Sequence, residues 1–90
     1  MKLIFCRSCN DVRRLFVGRT TVCWCGKSWG RYIDDTNAEM GGQVTPLGFA
    51  NKSFAKALCA QPGRGDGKTF EAFVIPRICD SIEYPDEPFA

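Results

Sequence analysis

The sequence contains no histidine, the side chain that most often performs general acid–base catalysis near neutral pH. It also has no long apolar run, since stretches such as residues 73–75 fall far short of the ~20 residues that span a bilayer. The apolar start, residues 1–5, meets Cys6 and Arg7 too early for the core of a signal peptide. We therefore expect a protein of the cytoplasm that has no membrane segment and is not an enzyme.

The chain has 90 residues, of which 44% are hydrophobic and 24% charged, and this predicts one small soluble domain. A chain of this size buries only roughly 60–65% of its unfolded surface, so an apolar core alone gives marginal stability. Small domains of this kind usually need a disulfide or a metal ion as well. The candidates for that role are the six cysteines, Cys6, Cys9, Cys23, Cys25, Cys59 and Cys79.

Cysteine spacing favours a metal site over disulfides. Cys6 and Cys9 are separated by two residues, and Cys23 and Cys25 follow after an intervening segment of thirteen residues. A disulfide between Cys23 and Cys25 would close a very small, strained ring. Four thiolates suit tetrahedral Zn²⁺ in a closed, structural site, with iron and disulfides as the alternatives. We expect chelation to unfold the first third of the chain.

Residues 3–33 resemble a zinc ribbon of the rubredoxin-like kind, in which two cysteine knuckles on neighbouring hairpins bind one metal ion. The usual second knuckle is C-X-X-C-G, whereas here Cys23-Trp24-Cys25-Gly26 is one residue shorter. This departure leaves Cys59 or Cys79 open as a ligand in place of Cys23 or Cys25. The wider pattern, in residues 30–32 and 47–51, is similar to small proteins of phages and bacteria, and this similarity implies a bacterial cell, with a phage gene as one source.

The predicted fold class is α+β, with zinc-ribbon hairpins, one helix and an additional C-terminal strand in a single domain over residues 1–90. The ribbon occupies residues 1–33, residues 34–79 share its core, and residues 80–90 form an acidic, extended tail. Capping-box spacing from Thr36 to Glu39 predicts a short helical turn, and residues 46–48 a turn. Asn51 is predicted to cap a helix over residues 52–60. The predicted strands are residues 2–5, 12–17, 21–24, 29–33, 43–45 and 69–75.

Charge is divided unevenly along the chain. Through Ile33 seven bases oppose one acid, whereas from Asp34 onward five bases oppose nine acids. Arginine binds phosphate through paired hydrogen bonds, aromatic rings stack on bases, and the amides of a helix start attract anions. The predicted ligand-binding residues are Arg13, Arg14, Arg19, Trp24, Lys27, Trp29, Arg31, Tyr32, Asn51, Lys52 and Ser53. In the alternative interpretation, the aromatics fill the core and the arginines pair with the acidic half.

These features predict a non-catalytic, zinc-stabilised protein that captures a nucleotide or a short nucleic acid, such as a phage-type protein that sequesters a nucleotide signal. A zinc ion held by four cysteines keeps no open position for water, so hydrolysis at the metal is not expected. The alternative function is a protein–protein adaptor that uses the acidic tail with Phe70, Phe73 and Phe89. Homo-oligomerisation is compatible with either function, because small domains often complete a core that way.

Overall fold

The computed structural model describes residues 1–85, whose regular secondary structure consists of two β-sheets and one short helix. In chain order the elements are β1 (Lys2–Cys6), β2 (Val12–Arg14), β3 (Thr21–Val22), β4 (Ser28–Tyr32), β5 (Ala38–Gly42), β6 (Val44–Phe49), α1 (Asn51–Cys59), β7 (Ala72–Val74) and β8 (Ile82–Glu83). The predicted α+β class is confirmed in this broad form. No helix within residues 1–85 has the length and apolar character needed to cross a membrane.

Each sheet has four strands, and each combines strands from both halves of the chain. The first sheet has the order β2-β1-β6-β7, and all of its neighbouring strands are antiparallel. The second sheet has the order β3-β4-β5-β8, in which only the β5–β8 pair is parallel. The strands of residues 1–33 therefore belong to sheets that strands from later in the chain complete.

The apolar core draws on both sheets. Ile4 from β1, Met40 from β5 and Val44 from β6 are fully buried, together with Leu15 from the segment after β2. Gly30 in β4 permits this packing, because a Cβ there would lie 2.8 Å from Cγ2 of Ile4 and 2.9 Å from Cδ2 of Leu15. The two sheets therefore approach each other closely where Gly30 faces Ile4.

The segment from Asp34 to Gly48 differs most from the sequence prediction. The predicted helical turn at Thr36–Glu39 is wrong, because Ala38–Gly42 forms β5 and pairs with β4. The turn before β5 is organised by Asp34, whose carboxylate accepts hydrogen bonds from the side chain and backbone of Asn37 and from the backbone of Thr36. These bonds lower the pKa of Asp34 to about 2. The predicted turn at residues 46–48 is also wrong, since these residues lie inside β6.

Helix α1 begins at Asn51 and not after it. Its N-cap is Ala50, which offers no side-chain hydrogen bond, so the prediction that Asn51 caps the helix is wrong. Oδ1 of Asn51 instead accepts a hydrogen bond of 2.9 Å from the Met1 ammonium group. The chain start reaches this position because the Phe49 amide donates to the Met1 carbonyl. The Asn51 side chain, which the local sequence predicts as a helix cap, is therefore bonded to the distant chain start instead.

The remaining differences concern strand length and the end of the chain. Three predicted strands, over residues 12–17, 21–24 and 69–75, are too long, since β2, β3 and β7 cover only Val12–Arg14, Thr21–Val22 and Ala72–Val74. Strand β8 lies in the predicted extended tail and pairs with β5. Residues 86–90, which include Phe89 and part of the acidic tail, lie outside the residues that the structure describes.

Candidate metal centre and anion groove

Four cysteine sulfurs converge at one end of the two sheets. Cys6 ends β1 and Cys9 lies in the turn that follows, whereas Cys23 and Cys25 lie between β3 and β4. The four Sγ atoms lie within 4.8 Å of one another, with 3.7 Å between Cys6 and Cys25 and 3.6 Å between Cys23 and Cys25. We call these four residues the cysteine cluster. Neither Cys59, which is exposed, nor the half-buried Cys79 belongs to it.

Backbone hydrogen bonds set the two knuckles. In the first, the Asn10 amide donates to the Cys6 carbonyl, and Asn10 adopts a left-handed φ of 63° that reverses the chain. In the second, the Gly26 amide donates to the Cys23 carbonyl, and Gly26 has a φ of 80°. The left-handed region suits asparagine and glycine better than other residues, so the local sequence supports both reversals.

Asp11 joins the two knuckles. Its Oδ2 accepts a hydrogen bond of 2.7 Å from Nε of Arg13 and one of 2.8 Å from the Trp24 amide, between the two cysteines of the second knuckle. The Arg13 side chain and the Trp24 amide both hold the pKa of Asp11 below its usual value. Asp11 therefore remains an ionised acceptor that fixes one knuckle against the other.

The thiols of the cysteine cluster differ in their readiness to ionise. Burial raises the pKa of Cys6, but the nearby Ser28 hydroxyl and backbone hydrogen bonds from Cys9 and Ser8 outweigh it and lower the pKa to about 6. At Cys25 a backbone hydrogen bond from Lys27 lowers the pKa, yet burial and the three neighbouring sulfurs raise it to about 11. Like charges this close oppose full ionisation, and a bound cation removes that opposition.

Ser28 provides a test of whether the site suits a metal ion. Its side chain is fully buried, and its hydroxyl has no hydrogen-bond partner within residues 1–85. The hydroxyl lies near enough to the Cys6 sulfur to lower the pKa of Cys6, and the Ser28 amide donates a hydrogen bond of 3.3 Å to the Cys23 sulfur. A buried hydroxyl without a partner and an amide donor beside the sulfurs both favour thiolates, the form in which cysteine binds a metal. The cysteine cluster therefore fits a metal ion bound by four thiolates.

We predict that Ser28→Ala weakens metal binding about tenfold, because outer donors to metal ligands typically contribute 10–100-fold in affinity. The measurement is competition for Zn²⁺ against a chromogenic chelator. Ser8→Ala is the matched control, since Ser8 is an exposed serine of the first knuckle that acts on Cys6 through its backbone. Equal affinities of the two variants would contradict a role for the Ser28 hydroxyl.

A second candidate site lies beside β2 and β3. This cavity of about 350 Å³ is lined by Phe16, by residues 20–22 and by three arginines, Arg13, Arg14 and Arg19. We call it the arginine groove. The guanidinium carbons of Arg14 and Arg19 lie 4.8 and 3.9 Å from the centroid of the Phe16 ring. Arg13 pairs with Asp11, whereas no ion pair joins Arg14 or Arg19 to a carboxylate anywhere in residues 1–85.

Two more of the predicted ligand-binding residues, Tyr32 and Asn51, lie in a neighbouring cavity. This cavity of about 360 Å³ shares Arg14 and Phe16 with the arginine groove. The Tyr32 hydroxyl accepts a hydrogen bond of 2.7 Å from the Lys2 amide, and its ring packs against the core. The neighbouring cavity therefore adds an aromatic ring, an amide and the carboxylate of Asp35 to the surface beside the arginine groove.

Three predicted residues of the second knuckle and β4 do not line either cavity. Trp24 is 81% exposed at the tip of the knuckle, and Lys27 is exposed nearby. Trp29 is half-buried, and its indole covers Gly41, where any Cβ would collide with the ring. The structure therefore separates these side chains from the arginine groove.

The last three predicted residues also lie elsewhere. Arg31 pairs with Glu39 of β5, as the alternative interpretation of a basic face paired with the acidic half requires. Lys52 is exposed on α1. The Ser53 hydroxyl donates to the Ala50 carbonyl and accepts from the Glu71 amide, so it ties the helix start to the chain before β7.

Sequence reasoning missed three contributors to these sites, namely Asp11, Phe16 and Ser28. Phe16 stands in the apolar run Leu15-Phe16-Val17, which reads as strand, and only the fold places two arginines over its ring. Ser28 carries no motif at all. Asp11 had one signal, because it is the single acid among the seven bases of residues 1–33.

Comparison with protein-family models, with curated protein sequences and with solved structures finds no match for this chain. The cysteine cluster and the arginine groove are therefore the two features of the structure on which a functional proposal can be based.

Proposed function

We propose that this protein is a zinc-stabilised, non-catalytic binding domain that captures a phosphate-bearing ligand, a nucleotide or a short nucleic acid, in the arginine groove. The observation that carries the proposal is the pair of guanidinium groups of Arg14 and Arg19, held over Phe16 in a cavity that no carboxylate lines. Paired hydrogen bonds from arginine to phosphate are among the strongest that proteins make.

Zinc is the ion that we assign to the cysteine cluster. Four converging thiols are the donor set that proteins use for tetrahedral zinc or iron. With Cys6, Cys9, Cys23 and Cys25 all bound, the ion's chemistry is structural, since no coordination position is left for a substrate. The proposed role of the cluster is to hold the strands next to the arginine groove, and no catalytic step is assigned to the ion.

The arginine groove is organised before a ligand arrives. Contact with the Phe16 ring restricts both guanidinium groups, so less conformational entropy is lost when they bind an anion. The hydroxyl-bearing residues Thr20 and Thr21 line the same cavity and add potential donors. Because Arg19 covers the Phe16 ring, we assign the phosphate to the arginine groove and the rest of the ligand to the neighbouring cavity beside Tyr32.

We predict that Arg14→Met and Arg19→Met each weaken binding of the best nucleotide at least about tenfold, since a hydrogen bond to a charged group contributes roughly 1.5–3 kcal/mol. A thermal-shift panel of mono-, cyclic and dinucleotides identifies that nucleotide, and calorimetry measures its affinity. Lys27→Met is the matched control, because it removes an exposed cation of the basic segment that lies outside the arginine groove.

Each other outcome has a definite meaning. If no nucleotide or oligonucleotide raises the melting temperature, the proposal is wrong. Binding of single-stranded oligonucleotides that weakens steeply with salt identifies nucleic acid as the ligand class. Consumption of an incubated nucleotide, detected by chromatography, would contradict a non-catalytic role.

The second candidate function, a protein–protein adaptor, is supported by the apolar edge of the first sheet. Phe73 and Val74 of β7 and the nearby Ile78 are exposed, and β7 is the last strand of its sheet. Exposed apolar edge strands are typical sites for pairing with another chain. Phe70 is not part of this edge, because it packs with Phe49 and Phe54.

A further inference from the structure

A third cavity lies between α1 and the loop over residues 61–70. Its volume is about 410 Å³, which falls in the range of small-molecule sites. Its lining shares no residue with the cysteine cluster or the arginine groove. We call it the helix cavity, and its walls differ in chemistry from those of the arginine groove.

The walls of the helix cavity are mostly apolar. Phe54 and Phe70 line it, with 4.8 Å between their ring centroids, and Phe49 lies 5.1 and 4.9 Å from these rings and supports them. Leu58, one helical turn after Phe54, also lines the cavity and is 61% exposed. Covering such apolar surface removes it from water and is therefore favourable. The helix cavity therefore favours an apolar occupant.

The charged side chains that line the helix cavity are all positive. Arg64 and Lys68 are the only charged residues that line the helix cavity, and neither forms an ion pair within the described part of the chain. Gln61 is the single neutral polar side chain in the lining. Recognition of a nucleobase edge needs several placed donors and acceptors, and this lining does not supply them. An apolar body with one anionic head matches it better.

We propose that the helix cavity binds a small organic carboxylate with an apolar body, of the medium-chain acyl type. Its carboxylate lies between Arg64 and Lys68, and its chain covers Phe54, Leu58 and Phe70. The loop that carries both cations contains Gly63, Gly65 and Gly67 and is exposed throughout, so it can adjust to the length of the chain. This site is independent of the proposed capture of phosphate in the arginine groove.

The test compares three probes that share a ten-carbon chain, namely decanoate, decanol and decyltrimethylammonium. Calorimetry with the zinc-loaded full chain should show that decanoate binds most tightly and the cation most weakly. Arg64→Met and Lys68→Met should each weaken decanoate binding about two- to fivefold, the range for an exposed ion pair. Lys52→Met is the matched control, because Lys52 is exposed on the same helix but does not line the cavity.

Four results would overturn the proposal. One is equal binding of decanol and decanoate, and another is no binding of either. A third is unchanged decanoate affinity in Leu58→Asn, provided that its melting temperature shows that it folds. The fourth is a dimer in solution that Leu58→Asn converts to a monomer, since a second copy would then cover the helix cavity. Unchanged decanoate binding in Arg14→Met would support the independence of the two sites.

Discussion

Removal of the proposed zinc ion by a chelator is expected to unfold both sheets together, and not only the first third of the chain. Cys6 ends β1, which pairs with β6, whereas Cys23 and Cys25 precede β4, which pairs with β5. An ion in the cysteine cluster would therefore link strands that belong to different sheets. Zinc binding in finger peptides is worth roughly 10–16 kcal/mol, and a small domain's whole stability is about 5–15 kcal/mol. Amide hydrogen exchange before and after chelation measures how far the unfolding spreads.

Cysteine variants separate the metal ligands from the other thiols. Native mass spectrometry should find one Zn²⁺ per chain in the unsubstituted protein and in Cys59→Ser, because Cys59 is exposed on α1 and lies outside the cysteine cluster. Serine at Cys6, Cys9, Cys23 or Cys25 should abolish zinc retention and folding. A chain that keeps its amide protection after the chelator has removed all metal would refute the structural role of the cluster.

Gly42→Ala is expected to be the most damaging single substitution outside the cysteine cluster, with a loss above about 4 kcal/mol in the free energy of unfolding. Gly42 has a φ of 79°, and a Cβ there would overlap the carbonyl oxygen of Lys27. The clash is with a backbone oxygen, and the Gln43 amide donates a hydrogen bond to that same oxygen. The Lys27 carbonyl therefore cannot move away without breaking this hydrogen bond. Urea unfolding at a fixed zinc concentration measures the loss.

Gly18→Ala isolates the steric part of this effect. Gly18 has nearly the same backbone conformation, with a φ of 83°, but a Cβ there would meet nothing within 4 Å. Its cost should therefore be only the left-handed strain of roughly 1–2 kcal/mol. Equal losses in the free energy of unfolding would mean that the Lys27 carbonyl moves away from the new Cβ at no cost. This would contradict the constraint that the pairing of β4 with β5 places on it.

The features that sequence predicted well are local ones. The spacing of the four cysteines and their turn residues limits what each knuckle can do, and the structure places the sulfurs together as a possible metal site. Helix α1 also follows from local signals, since Phe54 and Leu58 recur at helical spacing. Its start was predicted one residue late, because Met1 engages the Asn51 side chain from fifty positions away.

Features that depend on distant partners were missed. Thr36 and Glu39 have the spacing of a capping box, but pairing with β4 makes Ala38–Gly42 a strand, and Asp34 takes over the turn. Strand β8 forms because it pairs with the edge of β5. Its own two residues carry no local signal for a strand. The arginine groove has the same character, since its arginines were predicted from charge while the Phe16 ring beneath them was not.

One carboxylate oxygen of Asp11 is a hydrogen-bond acceptor for two regions of the molecule. The same carboxylate oxygen accepts from Arg13, at the border of the arginine groove, and from the Trp24 amide, between two sulfur donors. An anion that binds Arg13 would compete with this oxygen for the guanidinium group, and loosening of the second knuckle would remove its hydrogen bond from the Trp24 amide. If the groove binds an anion and the cluster an ion, as proposed, the two binding events would form one thermodynamic cycle, in which each would alter the affinity of the other by the same factor.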